Sequence, residues 1–222
     1  MQSPLQKILH SLIPMAQTPG CTGLDLDGMA KNCIEILGAE PAFLGFNNFP
    51  NVLCVSINET VVHGVPTNKP FEDGDIVSLD LGLKMNGEYD DGALTIVVGK
   101  ASKVAKKLLK GTREALEAGI QMAKPGYTTN DIGRAIWQTA CKYDLVPVDN
   151  YGGHGISSEL HEEPFVPNYS MHFPNHTLVA GQRIAIEPMF STKGSSTYIG
   201  PDGFSVVLKS GLAAHFERTV TI

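Results

Sequence analysis

The sequence predicts an α+β fold in which two similar halves, each made of helix, helix and strands, face each other across a pseudo-twofold axis. Amphipathic helical segments, a β-hairpin signal at 76–98 and an internal repeat predict this fold. The repeat matches PGCTGLDL at 19–26 with PGYTTNDI at 125–132, GDIVSLD at 74–80 with GQRIAIE at 181–187, and DGALTI at 91–96 with ERTVTI at 217–222. Since neither half could cover its sheet alone, we expect residues 1–222 to form a single domain, with halves of about 1–100 and 101–222.

The first half begins with two predicted helices. Apolar residues recur at helical spacing before Pro14, which is expected to limit the first helix because proline lacks a backbone donor. The second helix is predicted from Thr22, a suitable N-cap, to about Leu37, with Gly38 closing it in a left-handed conformation. Strands are then predicted at 52–57 and 60–63.

The hairpin at 76–98 turns at Asn86-Gly87, because both residues tolerate a positive φ. If these two residues form the loop, counting outward puts Gly82 opposite Asp91. Side chains alternate with a period of two, so Asp80 and Asp91 share one face as diagonal neighbours, about 7–8 Å apart at the backbone. Two carboxylates that converge beside a glycine favour a bound cation or an acid/base pair. A solvated hairpin face with acids near the turn is the alternative.

The second half is predicted to repeat the order of the first. Ser102 is expected to cap a long helix to about Ala123, and Thr129 to cap another to about Tyr143. The remaining segments are a glycine-rich stretch, YGGHGI at 151–156, a polar region to Asn175, a strand at 183–187, a Gly/Ser loop, and strands near 204–208 and 213–222.

Composition excludes several classes of protein. With 42% hydrophobic and 18% charged residues, a chain of 222 residues has globular values and can bury a core. The net charge of −6 indicates no nucleic-acid affinity, and no apolar run reaches membrane-spanning length. The cysteines, at 21, 33, 54 and 141, form no CxxC pair and no dense framework, which is typical of a reducing compartment. We therefore expect a cytoplasmic protein that binds neither nucleic acid nor membrane.

The repeat predicts that Asp80 and Asp91 face Glu187 and Glu217 across the axis. Four carboxylates in one place cannot all stay ionised without a counter-charge, because like charges raise each other's pKa. Two divalent cations supply that charge, and a two-metal site suits hydrolysis because both ions can bind one water and polarise one carbonyl. His154, inside the glycine-rich stretch, is the expected imidazole ligand. An oxygen-rich site with one imidazole suits Mn, Fe(II), Co or Zn rather than calcium.

Several segments resemble type I methionine aminopeptidases, of the pita-bread metallopeptidase family. They are INETVVHGVP at 57–66, DGDIVSLDLGLKMNGEYDD at 73–91, GGHGI at 152–156, LHEEP at 160–164, IAIEPM at 184–189 and AHFERTVTI at 214–222. The resemblance covers nearly the whole chain. It implies a pita-bread fold, with the two halves around a curved antiparallel sheet, and a single catalytic domain.

The resemblance also implies how the site divides. Asp80 and Asp91 would bind one metal ion, with Asp91 and Glu217 bridging to a second ion that His154 and Glu187 also bind. A bridging water or hydroxide would attack the first peptide carbonyl, and Glu187 would accept its proton and later help to protonate the leaving amine.

Further substrate contacts follow from the same resemblance. His161 would stabilise the developing oxyanion or position the scissile peptide, and His63 would contact the substrate and take part in proton transfer. In isolation, either histidine is more often a surface or core residue, and only the framing VVHGVP and HEEP reverses that interpretation.

A methionine pocket is also implied by the resemblance. Its expected members are apolar, as a pocket for an unbranched thioether requires: Phe43, Phe46, Cys54, Leu160 and Phe204. Plain core packing is the alternative for the aromatic members. The chain departs from the family at Phe204, where tryptophan is common, and at Phe46, where tyrosine is common.

Two more features concern ions. The family's Asp-Thr pair is Asp91-Gly92 here, so a hydroxyl that could brace the aspartate is missing, which puts metal affinity in question. Asn58 and Thr60 match a loop that in the family binds a monovalent cation through backbone oxygens.

Four histidines stand outside the expected set. His215 lies two residues before Glu217, so it shares that face and is a further candidate to line the site. His10, His172 and His176 are expected to be exposed.

The implied function is metal-dependent removal of the initiator methionine from nascent proteins and peptides with a small second residue. One alternative is a pita-bread hydrolase of other specificity, such as a Pro-specific peptidase, which usually carries a large N-terminal domain that this chain has no room for. Another is a weakly active or non-catalytic relative, but such relatives lose metal ligands, and all are present here. The separation between His161 and Glu187 is too short for the helical insertion of type II enzymes.

The same resemblance implies the binding partner, which is the N-terminus of a peptide or nascent protein. Association with the ribosome stays open, and we expect a monomer.

Overall fold

The computed structural model describes residues 2–170 and 175–222. Within them lie the helices α1 (Pro4–Ala16), α2 (Gly23–Leu37), α3 (Lys103–Met122) and α4 (Thr129–Tyr143), and a short 3-10 helix at Phe46–Asn48. The strands are β1 (Glu40–Pro41), β2 (Leu53–Ile57), β3 (Thr60–Val62), β4 (Ile76–Met85), β5 (Glu88–Val97), β6 (Val146–Pro147), β7 (Gly152–Gly155), β8 (Glu162–Pro167), β9 (Arg183–Ile186), β10 (Met189–Ser191), β11 (Thr197–Ile199), β12 (Val206–Leu208), β13 (Ala213–His215) and β14 (Arg218–Thr221).

The helices of the first half begin and end largely as predicted. In α2 the Thr22 side chain and Asp25 form a reciprocal capping box, and Gly38 ends the helix with φ +70°. The prediction for α1 was too short, because the helix continues through Pro14 to Ala16. A proline in the last turn removes only one helical hydrogen bond, and the buried side of α1 outweighs that loss.

The helices of the second half show one error. α3 follows its cap at Ser102 as predicted. α4 is capped by Thr128 rather than Thr129, because Thr128 can form a capping box with Asp131, three residues further on. This is the same box as Thr22 and Asp25, and the internal repeat aligns the two caps.

The hairpin has the predicted register. β4 and β5 pair without interruption from Ile76 opposite Val97 to Met85 opposite Glu88, and Gly82 lies opposite Asp91. Asn86 and Gly87 form the two-residue loop, with φ of +54° and +82°. Asp80 and Asp91 therefore lie on one face of the hairpin.

Within the described ranges the strands form antiparallel sheets. One sheet pairs β4 with β5, β2 and β1, and another runs β14–β9–β7–β8. Two three-stranded sheets, β13–β10–β6 and β11–β12–β3, flank them. The predicted strand at 213–222 is in fact two strands, because β13 pairs with β10 while β14 pairs with β9.

The sequence interpretation missed several short strands: β1, β6 and β7, and also β8, β10 and β11, whose local sequence opposes a strand. β8 lies in the region read as polar, where two glutamates and two prolines oppose a strand prediction, but pairing with β7 forms it. β10 and β11 lie in or beside the segment read as a Gly/Ser loop. In each case the partner strand, rather than the local sequence, decides the structure.

The repeat is visible in the hydrogen bonds. Gly20 N–H donates to Phe71 O, and the equivalent Gly126 N–H donates to Leu178 O. The two halves join between β5 and the chain just before β14, where Ala93 and Glu217 exchange two backbone hydrogen bonds, with N–O distances of 2.9 and 3.4 Å. This junction carries two of the predicted site residues towards each other.

The main core lies between the helices and the sheets. It includes Leu5, Leu9 and Leu12 of α1, Val77, Leu79 and Leu81 of β4, and apolar residues of α3, α4 and β9. Among the described helices, none is long and apolar enough to span a membrane.

Candidate metal centre

The two hairpin acids are buried, and the second half of the chain binds the backbone of one of them, Asp91. Asp80 is 7% exposed and Asp91 is 4% exposed. The Gly92 N–H donates to Asp91 Oδ1 at 2.9 Å. The Thr219 hydroxyl accepts from the Asp91 N–H and donates to the Asp91 carbonyl, both at 3.0 Å. Position 92 offers no hydroxyl, but the Thr219 hydroxyl of β14 binds the backbone of Asp91 instead.

Close packing explains why position 92 is a glycine. A Cβ at this position would lie 2.8 Å from Cδ2 of Leu5, so any side chain here would force the Leu5 side chain of α1 to shift. The departure from the family's Asp-Thr pair thus goes together with close packing of α1 against β5.

Glu187 and Glu217 complete the acidic cluster. Glu187 directly follows β9, and the buried Asn168 side chain donates to its backbone carbonyl at 2.9 Å. Glu217 lies between β13 and β14, where its backbone pairs with Ala93. Both carboxylates are buried.

His154 lies on β7, which packs very closely between β8 and β9. A Cβ at Gly153 would lie 2.1 Å from the Ala185 carbonyl, and one at Gly155 would lie 2.2 Å from the Glu163 carbonyl, so only glycine fits at either position. The His154 Nδ1 lies 2.9 Å from the Gly155 carbonyl, which can only accept, so Nδ1 carries the proton. The unprotonated Nε2 then lies 3.5 Å from Glu187 Oε1. Burial, with His161 nearby, lowers the pKa of His154 to about 4, which keeps the ring neutral.

The electrostatics of the cluster call for a counter-charge. Burial raises the pKa of Asp80, Asp91, Glu187 and Glu217 well above the ordinary value, and repulsion among the four acids adds to it. Asp80 Oδ1 and Glu217 Oε1 are buried without a hydrogen-bond partner among the described residues. Such atoms are costly unless something binds them.

The donor atoms are close enough to share cations. Asp80, Asp91 and Glu217 offer oxygens within 4.8 Å of one another, and so do Glu187, Glu217 and the His154 nitrogen. These two groups share Glu217, which is the arrangement expected of a two-metal site. The unpartnered oxygens, the oxygen-rich donor set and the single imidazole fit divalent cations.

His161 and His63 lie at the edge of the cluster. The His161 and His154 rings meet edge to face with centroids 4.4 Å apart, and Phe46 contacts His161 in the same way at 5.3 Å. His63 lines the same cavity and has φ of +58°, an uncommon left-handed backbone for a bulky residue. Backbone strain of this kind is concentrated at functional sites.

A cavity of about 530 Å³ opens above the acids. All five residues expected in the methionine pocket line it: Phe43, Phe46, Cys54, Leu160 and Phe204. The sequence interpretation missed further apolar lining residues, among them Phe49, Phe165 and Met189. Phe49 packs edge to face on Phe204 at 5.5 Å, but it lies in a loop before Pro50, where no sequence signal marks it.

His215 does line the cavity. The residue is 1% exposed, and its Nε2 lies 3.6 Å from Glu187 Oε2 and 3.9 Å from Glu217 Oε2. Burial, with His63 nearby, lowers the pKa of His215 to about 3. The spacing of two residues from Glu217 was the signal that placed it here.

The remaining sequence predictions have mixed outcomes. His10 and His176 are exposed as expected, and His172 lies outside the described residues. The Asn58 carbonyl, in the loop expected to bind a monovalent cation, accepts a hydrogen bond from Ala213 N–H at 2.7 Å. A cation at that loop stays a prediction.

Two kinds of comparison relate the chain to known sequences. The model of metallopeptidase family M24 matches residues 5–222. A methionine aminopeptidase from Aquifex aeolicus is 43% identical over 226 residues, which span 97% of this chain and 87% of the relative. Methionine aminopeptidase 1 from Bacillus subtilis is 40% identical over 216 residues, with the same two coverages.

Solved structures agree. The crystal structure of a methionine aminopeptidase from Thermotoga maritima matches with a TM-score of 0.95 and 36% identity, over 99% of this chain and 88% of that one. A prolidase from Pyrococcus furiosus matches with a TM-score of 0.77 and 24% identity, over 99% of this chain but only 58% of the prolidase. The latter likeness is one of fold alone. The predicted α+β pita-bread fold is confirmed.

Proposed function

Because the chain belongs to metallopeptidase family M24, we propose that it is a metal-dependent aminopeptidase that removes the N-terminal methionine from peptides and nascent proteins with a small second residue. The resemblance to type I methionine aminopeptidases agrees with relatives that match more than nine-tenths of the chain. The Pro-specific alternative is not favoured, since the prolidase likeness is weaker and spans only 58% of that chain.

One observation carries the proposal. Four buried carboxylates and one imidazole converge at the floor of a cavity whose walls are largely apolar: Asp80, Asp91, Glu187, Glu217 and His154. An acid cluster of this kind, with oxygens left unpartnered, is unfavourable in itself and is explained by cations. An apolar pocket beside it is explained by an apolar side chain of the substrate.

In this proposal Asp80, Asp91 and Glu217 would hold one metal ion, and His154, Glu187 and Glu217 would hold a second, with Asp91 contributing to both sites. When bound, two divalent cations supply Lewis acidity, which polarises a carbonyl and lowers the pKa of a water molecule. The identity of the metal, among Mn, Fe(II), Co and Zn, belongs to the proposal.

The protein's own residues move the protons and orient the peptide. Glu187 accepts a proton from the attacking water and returns it to the leaving amine. His161, with its ring packed between those of His154 and Phe46, donates a hydrogen bond to the carbonyl oxygen of the scissile peptide. His63, which lines the same cavity and has a left-handed backbone, contacts the substrate there.

The pocket sets the preference for methionine. Phe43, Cys54 and Leu160 are buried and belong to one apolar cluster, and Phe204 packs against it. Phe46 also lines the cavity but is more exposed than these residues. An unbranched thioether fills such a space without a polar group to satisfy.

The proposal is tested by hydrolysis of a Met-Ala-Ser peptide with Mn, Fe(II), Co or Zn added to metal-free protein. Asp91→Ala should abolish turnover with every metal, since it removes a bridging ligand. Glu88→Ala, an exposed acid three residues away on the same strand, is the matched control and should keep full activity. Undiminished hydrolysis by Asp91→Ala would contradict the site assignment.

Specificity is tested with a peptide series that varies the first residue. Methionine-initiated peptides with a small second residue should be cleaved far faster than those that begin with proline or lysine. Equal rates would indicate a broad aminopeptidase instead. A cytoplasmic location, a monomeric state and action on ribosome-bound chains remain part of this proposal and need separate measurement.

A further inference from the structure

His215 is held rigidly at the back of the cluster, although it is outside the proposed ligand set. Its backbone N–H donates to Thr95 Oγ1 at 2.9 Å, and Thr95 Oγ1 donates to its carbonyl at 2.6 Å. Thr95 belongs to β5, the strand that also carries Asp91. The backbone of His215 is therefore fixed relative to the acids, and its side chain is buried beside them.

The ring faces the distal oxygen of Glu187. Glu187 Oε1 lies 3.5 Å from His154 Nε2, while Oε2 lies 3.6 Å from His215 Nε2. The two oxygens of this carboxylate thus point to two different imidazoles. Within the part of the chain that the structure describes, neither nitrogen of His215 has a hydrogen-bond partner.

We propose that His215 is a positioning residue of the metal centre: its Nε2–H donates a hydrogen bond to Glu187 Oε2 and so holds Oε1 towards the cation that His154 also binds. The inference rests on the proposed metal centre. A carboxylate that binds a metal through one oxygen is commonly oriented by a hydrogen bond to the other. The present separation exceeds a normal hydrogen bond of about 2.7–3.2 Å by less than 1 Å, which a small side-chain movement closes.

Direct coordination of a cation by His215 is the competing role, and the tautomer separates the two. A donating His215 carries its proton on Nε2, whereas a ligating one has no proton there. His154 is the internal reference, because its Nδ1 donates to Gly155 and its Nε2 is free to bind.

The first experiment is long-range proton–nitrogen NMR of protein labelled with ¹⁵N-histidine, with the diamagnetic Zn²⁺ ion added to the metal-free chain. His215 should show the Nε2–H tautomer in the zinc-bound protein, while His154 shows a metal-bound Nε2. A zinc-bound Nε2 at His215, or an Nδ1–H tautomer there, would overturn the proposal.

The second experiment measures zinc affinity by competition with a chelating dye. His215→Leu should weaken zinc binding about 10–100-fold, as loss of an orienting partner does elsewhere. His215→Gln keeps an N–H donor, so its affinity should lie closer to that of the wild type. His10→Gln removes an exposed histidine of α1 and should leave the affinity unchanged.

The melting temperature of the metal-free protein shows whether the role of His215 is merely structural. Among the described residues of the metal-free chain, the buried His215 ring has no hydrogen-bond partner that leucine would remove, so the metal-free His215→Leu protein should melt no lower than the wild type. Equal zinc affinities of the wild type and His215→Leu, or a loss in His215→Leu matched by a lower metal-free melting temperature, would refute the inference. If the wild type itself did not bind zinc, the proposed metal centre would fail instead, so the two failures are distinguishable.

Discussion

Replacing Thr95 by valine should destabilise the protein far more than a single lost hydroxyl suggests. Thr95 is buried, and its hydroxyl makes three hydrogen bonds: it donates to His215 O at 2.6 Å, and it accepts from His215 N–H at 2.9 Å and from Ser78 Oγ at 2.8 Å. Valine has nearly the same shape, so packing is kept while all three partners are left without a bond.

The cost follows from those partners. An unsatisfied buried polar group costs about 1–3 kcal/mol, and relaxation recovers part of that cost, so Thr95→Val should lose about 3–6 kcal/mol of unfolding free energy. For a domain of this size, each kcal/mol lowers the melting temperature by about 2–4 °C, which gives a fall of about 6–24 °C.

The matched control is Thr112→Val in α3. Thr112 is also fully buried, but its hydroxyl only donates to the Leu108 carbonyl, at 2.9 Å, within the same helix. Because that carbonyl is the acceptor of a helical backbone bond, its loss should cost about 1 kcal/mol or less. The thermal unfolding of both variants is followed by circular dichroism in excess chelator. A fall for Thr95→Val no larger than for Thr112→Val would refute the reasoning that this hydroxyl joins the two halves.

Three further predictions concern the centre and its pocket. Divalent metal at 100 times its dissociation constant stabilises the folded chain by about 2.7 kcal/mol, so chelation should lower the melting temperature by about 5–11 °C, and no change would argue against a metal site. In metal-free protein, burial raises the pKa of Glu217 above its value in the unfolded chain, so the folded state favours the protonated carboxyl. The stability that this group contributes is therefore fully present below the unfolded pKa and is lost as the pH rises through the folded pKa. The melting temperature of metal-free Glu217→Gln should therefore rise relative to that of the wild type as the pH increases above the ordinary glutamate pKa of about 4.3, and a pH-independent difference would contradict this reasoning. Gly82→Ala places a Cβ 2.5 Å from Phe43 Cε1 and 2.9 Å from Ala42 Cβ, so we expect a loss of about 1–3 kcal/mol and a higher KM for methionine peptides. An unchanged KM would place Phe43 outside the methionine pocket.

Local signals predicted the parts of the fold that local chemistry decides. The Asn86-Gly87 turn fixes the hairpin register by itself, and that register alone puts Asp80 and Asp91 on one face. The choice of Thr129 over Thr128 as a helix cap was wrong because two threonines are adjacent, and only the acid three residues further on distinguishes them. The internal repeat, which aligns Thr22 with Thr128, would have resolved the ambiguity.

The parts that were missed depend on a partner distant in the chain. β8 contains Pro164 and Pro167 and forms because β7, made almost entirely of glycine, can approach it closely. Phe49 lines the cavity within an apolar cluster that includes Leu160, and Phe204, also from the other half, packs against its ring. Neither β8 nor Phe49 is marked by a hydrophobic periodicity or a motif, so local propensity could not predict either of them.

The junction between the halves explains how the acids are kept together and yet accessible. Along β5, residues 91, 93 and 95 meet residues 219, 217 and 215 in antiparallel order, but only the central pair, Ala93 and Glu217, is joined by backbone bonds. On either side a threonine hydroxyl replaces the backbone ladder: Thr219 bonds the backbone of Asp91, and Thr95 bonds that of His215. A hydroxyl reaches across a wider gap than a direct N–H···O bond allows, so the two strands can separate on both sides of Glu217 without leaving backbone groups unpaired. Asp91 and Glu217, the two proposed bridging ligands, are thus fixed to each other through the main chain, and the binding of cations need not draw the halves together.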